Sequence, residues 1–581
     1  MKKIINQPQG VVMEMINGIV AAHPELCANR KYRVIRKKEI DQNKVTLISG
    51  GGSGHEPAHA GFVGDGMLDA AVCGDVFASP SQVQVYQAIK ETASPKGTLL
   101  VIKNYSGDVM NFKNAAALAE EDGITVDYVI VDDDIAVEDS LYTVGRRGVA
   151  GTVFVHKIIG AAAKEGKSLQ EVKALAEKVN ANVKSIGFAL SSCTIPAKGS
   201  PIFDISDTEM EYGVGIHGEP GIQRKQLEDA DTLAKGSVQS LLKECKLKQG
   251  DEVALMINGF GATPLMELYL LNNSVTKEIV QGGIKVSRTF VGNFMTSIDM
   301  AGASITVLKL DDELKRYLSQ DCKAPGFFVQ SPQDNSDYIP LEVQAARVGN
   351  YKIETDSSYA KIQNEALSLN NMIYLIDAFS VCAIENEALF CEMDSVAGDG
   401  DFGTSLAKGF QQIKNEWPEL IANASCISSF LDACSLIVKE YCGGATGPIW
   451  GSAFRAAAQS TSGKETLSVG DFAAMLDAMV KRIQITGERS FGRGAVVGDK
   501  TLIDALAPCA EKWAEYAATG IGFKETFVDG ALAATVGAEK TKEFAARMGR
   551  AGTVGERSLG HPDAGAYGVG VLFTAVAQAL Q

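Results

Sequence analysis

Two hydrophobic rhythms divide the chain. Up to about residue 320, short runs rich in β-branched side chains alternate with stretches of 3.6-residue period. The runs predict strands at Val45–Ile48, Thr98–Ile102, Tyr128–Val131, Ser185–Leu190, Glu252–Ile257, Lys285–Val291 and Ser304–Leu308, with helices such as Ser81–Thr92 and Leu169–Ala181 between them. That alternation reads as α/β, with room for two sheets and a break near 182–184. From Ala324 to Ser358 the periodicity fades, and Pro325, Pro332 and Pro340 stand among Gln, Asn, Ser and Asp, as in a linker. After Ala360 strand signals nearly vanish. Apolar faces rich in Ala, Leu and Met predict helices at Ala360–Asn386, Ser405–Asn415, Ile427–Tyr441, Val469–Ile485, Leu502–Ala518, Phe523–Arg547 and Ala566–Leu580. The expected organisation is two α/β subdomains over 1–182 and 183–325, a linker over 326–358, and an all-helical domain over 359–581.

Composition narrows the function. The 581 residues exceed what one core usually serves. A net charge of −16 argues against nucleic acid or an anionic membrane as the main partner. Eleven cysteines without a CxxC pair suit reduced thiols in the cytoplasm. No signal-peptide pattern and no run of 18 apolar residues is found, so neither export nor a membrane span is expected.

The densest chemistry lies in Asp394-Ser-Val-Ala-Gly-Asp-Gly-Asp401. Three carboxylates this close repel one another unless a cation sits among them, and hard oxygen ligands suit Mg²⁺ beside substrate phosphates. An acidic surface turn is the plain alternative. Several nucleotide motifs almost occur. Gly166-Lys-Ser168 ends like a phosphate-binding loop, but position 161 is Ala; Gly213-Val-Gly-Ile-His-Gly218 fits GxGxxG, but Pro220 and Gly221 oppose the helix that should follow.

Three constellations stand in the α/β half. Ser49-Gly-Gly-Gly-Ser-Gly-His-Glu-Pro57 follows a strand, so its glycines allow close backbone approach while Ser53 and His55 project nearby; His59 follows closely. Lys103-Asn-Tyr-Ser-Gly-Asp108 lies past a strand end, where α/β sheets bind ligands, and Lys with Asp can orient and deprotonate a hydroxyl. Gly213-Val-Gly-Ile-His217-Gly-Glu-Pro-Gly221 exposes an imidazole competent as nucleophile or base. Each also reads as a structural turn. In the helical half, Phe402-Gly-Thr-Ser405, Cys442-Gly-Gly-Ala-Thr-Gly-Pro448, Gly498-Asp-Lys-Thr501, Gly549-Arg-Ala-Gly-Thr-Val-Gly-Glu-Arg557 and Gly560-His-Pro-Asp-Ala-Gly565 sit between helices, where N-termini and arginines can hold phosphate.

These motifs, in this order and over almost the whole chain, resemble the ATP-dependent dihydroxyacetone kinases, which join a ketone-binding K domain to a nucleotide-binding L domain. The resemblance implies two α/β subdomains followed by a barrel of eight antiparallel helices, and a homodimer. It implies that His217 holds the substrate carbonyl as a hemiaminal and that His55 and Asp108 activate the accepting hydroxyl. Lys103 and the segment Gly52, Ser53 and Gly54 would position the sugar. Asp394, Asp399 and Asp401 would hold two Mg²⁺ ions on ATP. Gly403, Thr404, Ser405, Gly444, Ala445, Thr446, Thr501 and Leu502 would line the nucleotide pocket, closed by Arg550, Asp563 and Gly565. The chain departs from the family in Arg493 where some members have glycine, Leu502 for Met, Ala564 for Pro, and Tyr212 where an aliphatic residue is common.

The implied reaction is transfer of the ATP γ-phosphate to dihydroxyacetone, or to another short keto sugar or aldose such as erythrulose or glyceraldehyde. A catalytically inactive carbonyl-binding regulator is the alternative from a different class, and a subunit fed by a phosphohistidine carrier is a third. The complete set of aspartates argues against the first, and joined halves argue against the second.

Overall fold

The computed structural model describes every residue except 1, 138–144, 332–337, 342–350, 550, 551, 553, 554 and 581. It divides into two compact units, Met1–Glu342 and Val343–Gln581.

The first unit carries two six-stranded sheets. One contains β1 (Leu26–Asn29), β2 (Val34–Lys37), β3 (Thr46–Ser53), β4 (Ala70–Val76), β5 (Thr98–Lys103) and β6 (Val126–Val131), in the order β1-β2-β4-β3-β5-β6. Its β4-β3-β5-β6 portion is parallel. β3 and β5 are buried along their whole length, as expected of strands covered on both faces. The other sheet contains β7 (Val183–Ala189), β8 (Glu209–Tyr212), β9 (Gln223–Gln226), β10 (Glu252–Gly259), β11 (Lys285–Gly292) and β12 (Gly302–Leu310), in the order β11-β10-β12-β7-β8-β9. Only β10 and β11 run parallel there. Helix Leu169–Asn182 touches β5 and β6 of the first sheet and β7 and β12 of the second. Val129, Phe154, Ile158, Val179 and Met256 therefore belong to one apolar core. The Gly166-Lys-Ser168 segment proves to be the start of this helix: Ser168 and Glu171 form a reciprocal capping box.

The second unit is built from helices. Eight of at least fourteen residues occur among the described residues: Leu369–Glu385, Phe402–Asn415, Ile427–Tyr441, Thr446–Ser460, Val469–Phe491, Ile503–Thr519, Phe523–Lys540 and Ala564–Ala579. Each packs against the next, and the last packs against the first, so the ring closes. Short connections make neighbours antiparallel. Phe379, Phe410, Trp450, Phe472, Trp513 and Phe527 fill the interior.

Three helix boundaries differ by six residues or more from the sequence pattern. The helix expected from Ala360 begins at Leu369, because Ser368 caps it with Asn371, and Leu367 is bridged to Leu467. The helix expected over Val469–Ile485 continues to Phe491 and is ended by Gly492 in the left-handed conformation. The helix expected to reach Arg547 stops at Lys540, where the Thr541 hydroxyl turns back onto the Ala538 carbonyl. No helix among the described residues is long and apolar enough to cross a membrane.

Candidate active site

In the first unit, the ends of β3 and β5 bring the predicted residues together. Lys103 closes β5 and is fully buried; its Nζ lies 3.1 Å from Asp108 Oδ2, on the first turn of helix Ser106–Glu121. Gly51 in β3 faces the same ammonium. A Cβ there would stand 2.5 Å from Lys103 Nζ, so the glycine is what lets the strand and the lysine share the space. Asp108 Oδ1 is buried and has no hydrogen-bond partner among the described residues, and the same holds for the Tyr105 hydroxyl.

His55 and His217 meet edge to face, with Nε2 3.3 Å from Nε2. His55 Nδ1 lies 2.8 Å from the Thr296 carbonyl oxygen, which only accepts, so that nitrogen carries the ring hydrogen. Burial, and then the charge of Lys103, pushes His217 down to about 3. Burial, followed by His217 and Lys103, drives His55 well below its ordinary value. Both rings are therefore neutral near pH 7. The Tyr105 ring stands 4.5 Å from His217, with Lys103 Nζ 5.5 Å from the same ring, and Phe77 stacks on His55 at 5.1 Å. Gly52, Ser53 and Gly54 run past this cluster; the Ser53 hydroxyl donates to the Gly74 carbonyl at 2.8 Å, and Glu56 accepts from the Gly54 N–H at 3.1 Å. His59, singled out beside His55, faces His156 at 3.1 Å.

The turn holding His217 is fixed by groups with no motif of their own. Glu219 accepts from the His217 backbone N–H at 2.9 Å and from Arg147 at 3.0 Å. Arg147 donates to Asp134 at 2.7 Å and to the Gly213 carbonyl at 3.0 Å. A Cβ on Gly215 would lie 1.8 Å from Glu219 Oε1, so only glycine admits this carboxylate.

In the second unit, ligand oxygens of Asp394, Asp399 and Asp401 lie within 4.8 Å of one another. Asp394 accepts from the Asp401 N–H at 3.1 Å, which curls the segment back on itself. Burial first, then Asp399 and Asp401 among others, raises the Asp394 pKa. Mutually repelling oxygens at this spacing fit Mg²⁺. A cavity of about 410 Å³ opens beside them, lined among others by Asp394, Asp401, Ala445, Thr446, Thr501, Leu502, Asp563 and Gly565. Asp563 caps the last helix through the Ala566 N–H and is pushed up to about 7, chiefly by burial. Gly403, Thr404 and Ser405 begin helix Phe402–Asn415, Gly444 lies in the turn before helix Thr446–Ser460, and none of the four is in that lining. The Thr404 hydroxyl donates to Glu387 at 2.9 Å, and Ser405 is buried. Arg550 lies outside the described residues. Arg493 forks onto Asp499, with one contact at 2.8 Å. Sequence reading missed the apolar walls Ile449, Ile483 and Met548, and also Lys500. Their spacing is that of ordinary helix and turn positions.

Residues 17–326 match the Dak1 domain family, and 396–578 match the DAK2 domain family. Over 314 residues the chain is 54% identical to a PTS-dependent dihydroxyacetone kinase 1, dihydroxyacetone-binding subunit, of Listeria innocua, covering 54% of this chain and 95% of that one. A putative 3,4-dihydroxy-2-butanone kinase of Solanum lycopersicum is 35% identical over 100% of this chain and 98% of its own. The crystal structure of the dihydroxyacetone kinase from C. freundii in complex with AMP-PNP and Mg²⁺ superposes with a TM-score of 0.60 at 28% identity, covering 99% of each chain. The chain therefore belongs to the dihydroxyacetone kinase family, with its Dak1 and Dak2 domains joined in one polypeptide.

Proposed function

We propose that the protein transfers the γ-phosphate of ATP to the terminal hydroxyl of dihydroxyacetone while His217 holds the ketone as a hemiaminal. A neutral imidazole nitrogen adds its lone pair to the carbonyl carbon. The ring N–H proton leaves, the carbonyl oxygen takes up a proton, and no water is lost. His55, with its Nε2 facing His217, is placed to carry that proton. Such a tether selects carbonyl compounds and excludes glycerol, because glycerol has nothing for the imidazole to add to.

The observation that carries this reading is the buried Asp108 carboxylate. One oxygen is held by Lys103, and the other has no partner among the described residues. That free oxygen suits the proton of an incoming hydroxyl. The Lys103 ammonium keeps the carboxylate oriented, and the tether brings the hydroxyl within reach. Asp394, Asp399 and Asp401 are the residues that would hold two Mg²⁺ ions, which would neutralise phosphate charge and align the transferred group.

The substrate's length is set by what surrounds its carbonyl, so a four-carbon ketose such as erythrulose, or glyceraldehyde, is the second reading. The name of the tomato relative favours a four-carbon ketone. The fused chain favours free ATP as donor, and the full set of acids argues against an inactive regulator. Eleven unpaired cysteines support a cytoplasmic location. The exposed side chains of Leu265, Met266, Tyr269 and Leu270 give a homodimer an apolar surface to bury. The domain limits 1–182, 183–325 and 359–581, with a linker between the last two, remain our assignment. A panel of three- to five-carbon ketoses, aldoses and glycerol, assayed for ADP release with ATP and Mg²⁺, tests the proposal. Dihydroxyacetone should give the highest kcat/KM, and glycerol turned over equally well would refute it.

A further inference from the structure

The Lys500 ammonium is caged by backbone. Four carbonyl oxygens surround its Nζ: Ser558 at 2.5 Å, Thr541 at 2.7 Å, His561 at 2.7 Å and Phe544 at 3.2 Å. The side chain is 2% exposed. An ammonium has three hydrogens, and all are absorbed by four acceptors, so none is left for a phosphate. Lys500 also holds a left-handed backbone, φ 63°, which a non-glycine residue adopts at a cost. The cage compensates that conformation.

The carbonyls come from three places: the end of helix Phe523–Lys540, the turn after it, and the segment running into Asp563. Further bonds run between the same segments. Asp563 N–H donates to the Thr541 hydroxyl at 2.8 Å, Gly560 N–H to the Lys542 carbonyl at 2.9 Å, and Arg547 N–H to the Asp499 carbonyl at 3.1 Å. Thr501 and Leu502, next to the lysine, and Asp563 and Gly565, beyond the cage, all line the 410 Å³ cavity. One buried cation thus ties together two segments of its wall that are about sixty positions apart in sequence and lie side by side in the fold, where a Cβ on Gly565 would stand 3.3 Å from Leu502 Cβ.

We propose that Lys500 is a positioning residue of the nucleotide pocket, acting as an internal monovalent cation that holds the Thr501–Leu502 and Asp563–Gly565 walls in register. The inference rests on reading that cavity as the ATP site. It differs from a phosphate-binding lysine because, among the described residues, the hydrogen bonds of the ammonium go to backbone carbonyls.

The test uses the full-length chain, titrated with Mg-ATP by calorimetry and assayed for turnover. Lys500→Ala should weaken ATP binding and raise its KM by about tenfold, the scale of one lost charge-assisted hydrogen bond. The KM for dihydroxyacetone and kcat at saturating ATP should change far less. Ammonium or potassium ions, which fit a carbonyl cage, should restore ATP affinity to the variant, whereas tetramethylammonium should not. Unchanged ATP affinity in Lys500→Ala, or a loss confined to kcat that small cations do not relieve, would overturn the proposal. Should that variant fail to fold, Thr541→Val keeps the caged carbonyl but removes the hydroxyl that accepts from the Asp563 N–H and donates to the Ala538 carbonyl. It should raise the ATP KM about threefold, on the scale of one neutral hydrogen bond, and an unchanged KM would overturn the proposal equally. Wild-type protein that bound no Mg-ATP would instead refute the assignment of the cavity, so the two failures are distinguishable.

Discussion

His217 Nε2 lies 3.3 Å from His55 Nε2, although 162 positions separate the two residues. β3 delivers one ring and the turn after β8 the other, and burial keeps both neutral.

Neutral buried histidines make stability depend on pH. His156 and His217 are each lowered to about 3, chiefly by burial, and His55 and His59 lie well below their ordinary value. The unfolded chain protonates its histidines near the ordinary value of about 6.5. Between that value and about 3 the unfolded state binds more protons, so stability rises with pH and is lost on acidification. Each fully buried histidine contributes about 1.4 kcal/mol per pH unit inside that window. Melts of the first unit followed from pH 8 to 4 should shift steadily downward below pH 6.5. A flat profile would contradict the neutral assignments.

Asp108→Asn keeps the shape and removes the base. Turnover should fall about 10²- to 10⁴-fold. Formation of the covalent adduct should survive, because His217 and His55 are untouched. Steady-state kinetics showing a normal kcat would end the base assignment.

Gly215→Ala drives a methyl group to 1.8 Å from Glu219 Oε1 and 2.7 Å from Arg147 Nη1. Overpacking of this kind costs about 1–3 kcal/mol. The displaced Glu219 would release the His217 backbone N–H. Thermal unfolding should show the loss, and adduct formation should weaken with it. A variant with wild-type stability and adduct yield would show that the carboxylate does not hold the turn.

Asp399→Asn removes one of the three clustered carboxylates. Mg-dependent ATP affinity measured by calorimetry should drop by about tenfold or more, as for loss of a charged ligand. Binding of dihydroxyacetone should be unaffected. Wild-type ATP affinity in the variant would remove the metal assignment.

The parts of the site legible in the sequence were those contained in one short segment. Lys103 and Asp108 are five residues apart, and a strand end followed by a helix start was enough to pair them. The three aspartates sit within eight residues, and one turn gathers them. Strand β5 and seven of the eight long C-terminal helices are legible because continuous apolar runs and 3.6-residue faces persist along them, whereas Thr446–Ser460 shows in the sequence only as a helix opened by a glycine loop. β1, β2, β8 and β9 leave no signal because each has only four residues, too few to establish a period, and β4 leaves none although it has seven, because its Ala-Ala-Val-Cys-Gly-Asp-Val run is poor in β-branched residues and broken by Gly74 and Asp75. Contacts across distant segments left no local trace. Arg147 bridges Asp134 and Glu219, 13 and 72 positions away, from a loop without a motif. Lys500 stood in a recognised motif, yet its carbonyl partners lie 41 to 61 positions on, and backbone acceptors carry no residue signature.

Intact-protein mass spectrometry with dihydroxyacetone tests the central claim most directly. The account predicts that the wild-type chain gains the mass of one whole dihydroxyacetone molecule and that His217→Ala gains nothing. An adduct one water lighter, as an imine on a lysine would give, or an unchanged gain in His217→Ala, would contradict it.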